Sequence, residues 1–146
     1  MFRTLSGEII TAALGEGCFW NGNRCQVSNV DTLAQATVLT TDDRFPNRPA
    51  RNEAWRSLAS KANVARTWGD CYGYLLVATG RAEVMIDDIV SPWDAVALQP
   101  IITEAGGVLT DWRNRETAFG NDLIATNAAL AQEVRAILST PSTQLT

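Results

Sequence analysis

The pieces that decide the fold are Glu83-Val84-Met85-Ile86-Asp87, then Ser91-Pro92-Trp93-Asp94, then Glu104-Ala105-Gly106-Gly107-Val108-Leu109-Thr110. The first reads as a strand. The second has the layout of a capping box: Ser at the cap, Pro at the first helical position, and a carboxylate three residues on to meet the free N–H groups of a first turn. A helix is therefore expected to begin there. Leu98, Ile101, Ile102 and Ala105 give it a buried stripe, Pro100 is expected to bend it, and Gly106-Gly107 to end it before the strand Val108-Leu109-Thr110. Strand, helix and strand in succession make one unit of a layered α/β sheet.

The same alternation continues on both sides. Upstream, Asp70 to Thr79 reads as a helix stopping at Gly80, Val64 to Thr67 as a short strand, and Asn52 as the cap of a helix to about Ala62 with Trp55, Leu58 and Ala59 on its apolar face. A polar loop with Asp42, Asp43, Pro46 and Pro49 separates that helix from a buried strand, Ala36 to Thr40. Met1 to Ser28 is glycine-punctuated and reads as an antiparallel meander, with Asn21-Gly22 as the turn between Phe19-Trp20 and Arg24 to Val27. Downstream, Leu123-Ile124-Ala125 reads as a strand, and Asn127 as the cap of a final helix carrying Leu130, Val134, Ile137 and Leu138. The expected fold is α/β, a mixed sheet flanked by helices with an N-terminal antiparallel β-meander, in a single domain over residues 1–140 with 141–146 as a tail.

Composition narrows the chemistry. At 146 residues, 46% hydrophobic and 19% charged, the chain suits one folded domain. Twelve basic against sixteen acidic residues, with no basic cluster, make nucleic acid a poor partner. No apolar run approaches the roughly 20 residues of a membrane helix, and the first residues lack a leader pattern, so a cytoplasmic location without a membrane partner is expected. Cys18, Cys25 and Cys71 show no Cys-x-x-Cys spacing and there is no histidine, which argues against a disulfide scaffold and zinc fingers and excludes imidazole-based catalysis within the chain. Any chemistry must use carboxylates, hydroxyls, backbone or a hard metal.

Four segments occur in order: Trp68-Gly69-Asp70-Cys71-Tyr72-Gly73-Tyr74, Ala78-Thr79-Gly80-Arg81-Ala82-Glu83, Ser91-Pro92-Trp93-Asp94-Ala95-Val96-Ala97 and Glu104-Ala105-Gly106-Gly107. Together they resemble the C-terminal part of the inositol monophosphatase family, closest to its histidinol-phosphatase branch. Gly15 to Gly22 resembles the family's hairpin with its Asn-Gly turn. The resemblance implies Mg²⁺-dependent phosphomonoester hydrolysis, with acidic side chains holding the metal ions. It places Asp94 as a metal ligand, Asp87 as a contact to substrate hydroxyl or amine groups, and Gly69, Asp70 and Cys71 beside the substrate. The family's other ligands, a Glu and an Asp-Pro-x-Asp-Gly-Thr motif, belong to an N-terminal half that this sequence does not show. A truncated relative is therefore expected, binding Mg²⁺ weakly and hydrolysing a small phosphomonoester barely or not at all by itself. The alternatives are a non-catalytic binding or assembly module, or one half of a split phosphatase. In either case a homo-oligomer or a partner chain is expected to cover the exposed sheet.

Structural readings compete with these roles. Asp94 also reads as the third residue of a capping box, the role favoured for it over metal binding, and Asp87-Asp88 equally as a solvated turn. Trp93 is expected to pack and Glu104 to serve its own helix end. Tyr72 and Tyr74, two residues apart, fall on different helix faces, so at least one is expected in the core. Asp42 and Asp43 read as wet surface. Cys71, near a helix start, is expected to have a lowered pKa if exposed, though without a neighbouring base it reads as an inert thiol.

Overall fold

The computed structural model describes residues 2–3 and 7–139; the expected tail at 141–146 lies outside the described residues. The meander forms as a four-stranded antiparallel sheet of β1 (Phe2–Arg3), β2 (Ile9–Ala13), β3 (Gly17–Trp20) and β4 (Asn23–Cys25), in that order. Asn21 and Gly22 turn β3 into β4 with φ of 48° and 80°, the left-handed pair that a two-residue hairpin requires.

The second sheet has five strands in the order β6-β5-β7-β9-β8, formed by β5 (Thr37–Thr40), β6 (Val64–Thr67), β7 (Val84–Asp87), β8 (Val108–Thr110) and β9 (Leu123–Thr126). β5, β6 and β7 are parallel, while β9 runs antiparallel to both β7 and β8, so the sheet is mixed. The helices are α1 (Pro49–Lys61), α2 (Cys71–Ala78), α3 (Pro92–Glu104) and α4 (Ala131–Ser139).

The two-residue period of the strands sorts their side chains into two cores. Val38, Val84, Ile86 and Ile124 point to one side, where Trp55 and Leu58 of α1 and Val134 and Leu138 of α4 cover them. Leu39, Met85, Leu123 and Ala125 point to the other, against Tyr74 and Leu75 of α2 and Leu98, Ile101 and Ile102 of α3. Ile10 and Cys18 of the antiparallel sheet join this second core. The order of layers is thus α1/α4, five-stranded sheet, α2/α3, four-stranded sheet. Among the described residues no helix is long and apolar enough to cross a membrane.

Several local expectations are corrected. α1 begins at Pro49, three residues before Asn52, because proline at the first helical position is already set in helical φ. The Asn52 amide instead donates to the carbonyl oxygens of Asp43 (2.8 Å) and Arg44 (3.1 Å), fixing the loop ahead of the helix. α3 does start after Ser91, but the Ser91 side chain makes no cap bond, and the N–H groups of Asp94 and Ala95 donate to the Ser91 carbonyl oxygen. The capping box is not formed, which leaves the Asp94 carboxylate unspent on it. α3 runs through Pro100 to Glu104. Glu104 does not serve its own helix end: its carboxylate accepts the backbone N–H groups of Gly15 and Gly17, each at 2.8 Å, and so ties the β2–β3 hairpin to α3. Trp93 does not pack; it is 79% exposed. Asn127 accepts the Leu130 N–H at 3.0 Å, and the regular helix begins one residue later.

Candidate active site

β5 and β7 are neighbouring parallel strands, and crevices at the carboxyl ends of such strands are where α/β sheets hold ligands. Asp87 closes β7. It shares the parity of Met85, so its side chain enters the layer of α2 and α3; Asp88, one residue on, turns toward α1. Asp87 is buried and accepts the Tyr74 hydroxyl at 2.8 Å, and Thr41, just past β5, lines the same cavity as Asp87 and helps to stabilise its charged form. Burial pushes its pKa above the ordinary range, with Thr41 and Tyr74 pulling partly back. The Tyr74 hydroxyl, fully enclosed beside this acid, is raised well above its usual value, first by burial and then by the Asp87 charge.

Behind Asp87 lies an ion network. Arg51 of α1 reaches Asp88 at 2.5 Å and Asp122 at 2.7 Å, and its guanidinium lies over the Trp112 ring, 4.5 Å from the centroid. The Trp112 indole N–H in turn donates to the Asp87 carbonyl oxygen at 3.2 Å. The Asp87-Asp88 turn is therefore not a solvated one.

Two helix starts meet in front of Asp87. α2 follows Asp70, held at φ 56° and ψ −150°, a region that non-glycine residues rarely adopt, with its N–H donating to the Thr41 hydroxyl at 3.1 Å. α3 follows Ser91. Neither helix has a side-chain cap, and Asp70, Cys71, Ser91 and Asp94 from these two starts line one cavity of about 380 Å³ together with Thr41, Tyr74 and Asp87. Among the described residues, Asp70, Asp87 and Asp94 are its only charged lining residues. α2 fits closely over β7 because position 73 is glycine; a Cβ there would run into the Met85 sulfur.

Four residues singled out by sequence, Asp70, Cys71, Asp87 and Asp94, thus share one cavity, while Gly69 sits beside it in the chain and is not part of its lining. Cys71 is half-buried, so the condition for a lowered pKa is not met: its thiol pKa is raised, by burial first and then by the Asp94 and Asp70 charges, in keeping with an inert thiol. Asp42 is tied to Arg44 through 2.9 and 2.7 Å bonds that hold its pKa down at about 2. Sequence reasoning missed Thr41, Tyr74 as a partner of Asp87, and the Arg51–Asp88–Asp122–Trp112 network. The place of Thr41 at the end of a parallel strand was the one available signal.

The donors suit a hard cation in kind but not in number. Asp94 offers the carboxylate oxygens that Mg²⁺ prefers, yet among the described residues no three His, Cys, Asp or Glu side chains gather closely enough to hold an ion.

Known proteins share this sequence pattern and architecture. The Inositol monophosphatase family model matches residues 2–141. The histidinol-phosphatase of Chlorobaculum parvum is 41% identical over 133 residues, covering 90% of this chain and 51% of that protein; the histidinol-phosphatase of Mycobacterium tuberculosis is 33% identical, covering 84% and 49%. The chain therefore spans about half the length of the curated relatives it matches. Among solved structures, an extragenic suppressor protein from Bartonella henselae superposes with a TM-score of 0.85 at 26% identity, over 92% of this chain and 53% of that one. Motif order, two-sheet architecture and family match lead to one conclusion: the chain belongs to the inositol monophosphatase family, on its histidinol-phosphatase side.

Proposed function

We propose that the cavity is the substrate-facing part of a phosphomonoesterase site, and that its ligand is a small phosphomonoester whose alcohol carries an amine. The observation that carries this reading is the meeting of two uncapped helix starts with three carboxylates in one cavity. Helix N-termini without side-chain caps favour a phosphate through the helix dipole, while Asp87 and Asp70, unaccompanied by any lysine or arginine in the lining, favour a cationic leaving alcohol over a neutral polyol. Asp94 would hold Mg²⁺, which when bound offsets phosphate charge. Asp87, kept in place by Tyr74, Thr41 and Trp112, orients the alcohol. Because the described acids are too few for a metal cage, catalysis at an ordinary rate needs acids from outside them.

Calorimetry with histidinol phosphate and inositol phosphate, in the presence of Mg²⁺, tests the reading. Tighter binding of histidinol phosphate, lost in Asp87→Asn, is the expected result; equal binding of the two, or none of either, would sink it. Phosphate release by the chain alone is expected to stay below the common enzyme range of about 1–10³ s⁻¹.

A further inference from the structure

Cys18 and Cys25 face each other directly across β3 and β4, with their sulfurs 3.5 Å apart and both thiols free. Directly opposed residues of an antiparallel pair have Cα atoms about 4.5–5.5 Å apart, inside the range a disulfide spans, so side-chain rotation alone brings the sulfurs into bonding distance. The two residues differ in surroundings: Cys18 is fully buried in the core under α3, whereas Cys25 is half-buried on the outermost strand. Beside Cys25 lies the Arg81 guanidinium, stacked 4.6 Å from the Trp20 ring centroid.

We propose that Cys18 and Cys25 form a thiol–disulfide switch, oxidised by a low-molecular-weight disulfide such as glutathione disulfide, which locks the hairpin that Glu104 binds to α3. The division of labour follows from the surroundings. Burial pushes the Cys18 thiol up to about 12, so it stays protonated, while Cys25, also raised by burial, is pulled back by its bond with Cys18 and by Arg81. Cys25 as thiolate attacks one sulfur of the small disulfide, forming a mixed disulfide and releasing one thiolate. That thiolate takes the Cys18 proton. Cys18 then attacks the Cys25 sulfur and expels the second small thiolate, which is protonated by the solvent proton given up when Cys25 ionised. One small disulfide is reduced to two thiols and one protein disulfide is formed. Cys71, on α2 beside the cavity, has no part in the exchange.

The test equilibrates the full folded chain with graded ratios of reduced to oxidised glutathione, quenches with acid, and counts and maps the remaining thiols by mass spectrometry. The expected result is joint loss of two thiols, mapped to Cys18 and Cys25, with a mass decrease of two hydrogen atoms, an upward shift in the urea midpoint, and full reversal by dithiothreitol. Cys18→Ala is expected to stop at a glutathione adduct on Cys25. Retention of both thiols at every ratio, a lasting glutathione adduct on the wild-type chain, or oxidation seen only once the chain is unfolded by urea would each overturn the proposal. Because the wild-type measurement alone decides it, a variant that fails to fold leaves the test intact.

Discussion

Asp87 concentrates the physics of the site in one side chain. Burial raises its pKa above 3.8, so the folded chain holds that proton more tightly than the unfolded one does. The resulting stabilisation is complete below the unfolded value and is lost as pH rises through the folded one. Asp87→Asn, which cannot ionise, is therefore expected to gain stability relative to the wild type as pH climbs from 3.8 toward neutrality, a trend that urea denaturation at a series of pH values reads directly. Tyr74→Phe acts the other way. It removes a donor from an enclosed carboxylate and is expected to cost about 1–3 kcal/mol in the same assay, most at neutral pH where the carboxylate is charged. Asp70 shows the complementary case of backbone strain: at φ 56° and ψ −150° it occupies a region open essentially to glycine. Asp70→Gly is expected to stabilise the chain by about 1–2 kcal/mol, after allowing for glycine's larger unfolded freedom, and to weaken histidinol phosphate binding by removing one carboxylate from the cavity. Denaturation and calorimetry on the same variant separate the two effects. Asp70, Asp87 and Asp94 were legible in the sequence because each stands beside a motif. Tyr74 and Thr41 were not, because they reach Asp87 only through the packing of α2 on β7 and the pairing of β5 with β7, contacts that no local pattern encodes.

Strands and helices were read well where apolar period and terminators agreed. Val64–Thr67 came out with its expected limits, and the Asn21-Gly22 turn formed where its chemistry demanded. Helix starts were misjudged where two signals competed. Pro49 overrode Asn52, and at α3 the Ser91 carbonyl took the role assigned to side chains. Glu104 was misread because its partners, Gly15 and Gly17, lie far away in sequence across the interface between α3 and the hairpin. The fit of α2 on β7 shows how one missing atom sets an element's position. Gly73→Ala improves local helix propensity but drives a methyl into the Met85 side chain, and is expected to destabilise by about 1–3 kcal/mol. Met85→Ala alone costs about 2–5 kcal/mol by opening a cavity. If the two positions share that space, the double variant loses less than the sum of the singles, and a thermal-denaturation cycle over the four proteins measures the difference. Additive losses would mean that the α2–β7 contact does not hold the helix where it is.

The layers together leave several large apolar side chains exposed. Trp93 and Val96, three residues apart on the same face of α3, are 79% and 49% exposed, and Ile89, which helps line the cavity, is 75% exposed. Large apolar side chains favour burial by about 1.5–3 kcal/mol each, so this group is a source of association free energy beside a site whose described acids are too few for a metal cage. If these side chains self-associate, the same group on two copies meets itself across a two-fold axis. Light scattering at micromolar concentration is expected to show a dimer, and Trp93→Glu, which places a charge in the centre of the contact, is expected to shift it to monomer. The histidinol phosphate affinity of each state then tells whether dimerisation touches the site. If the acids that complete the metal cage come from the second copy, dissociation abolishes Mg²⁺-dependent binding; if they come from any other stretch of polypeptide, monomer and dimer bind alike and only supplying that stretch raises phosphate release. A monodisperse wild-type monomer would remove the apolar group as an interface and leave the carboxylates of Asp70, Asp87 and Asp94 to account for recognition by themselves.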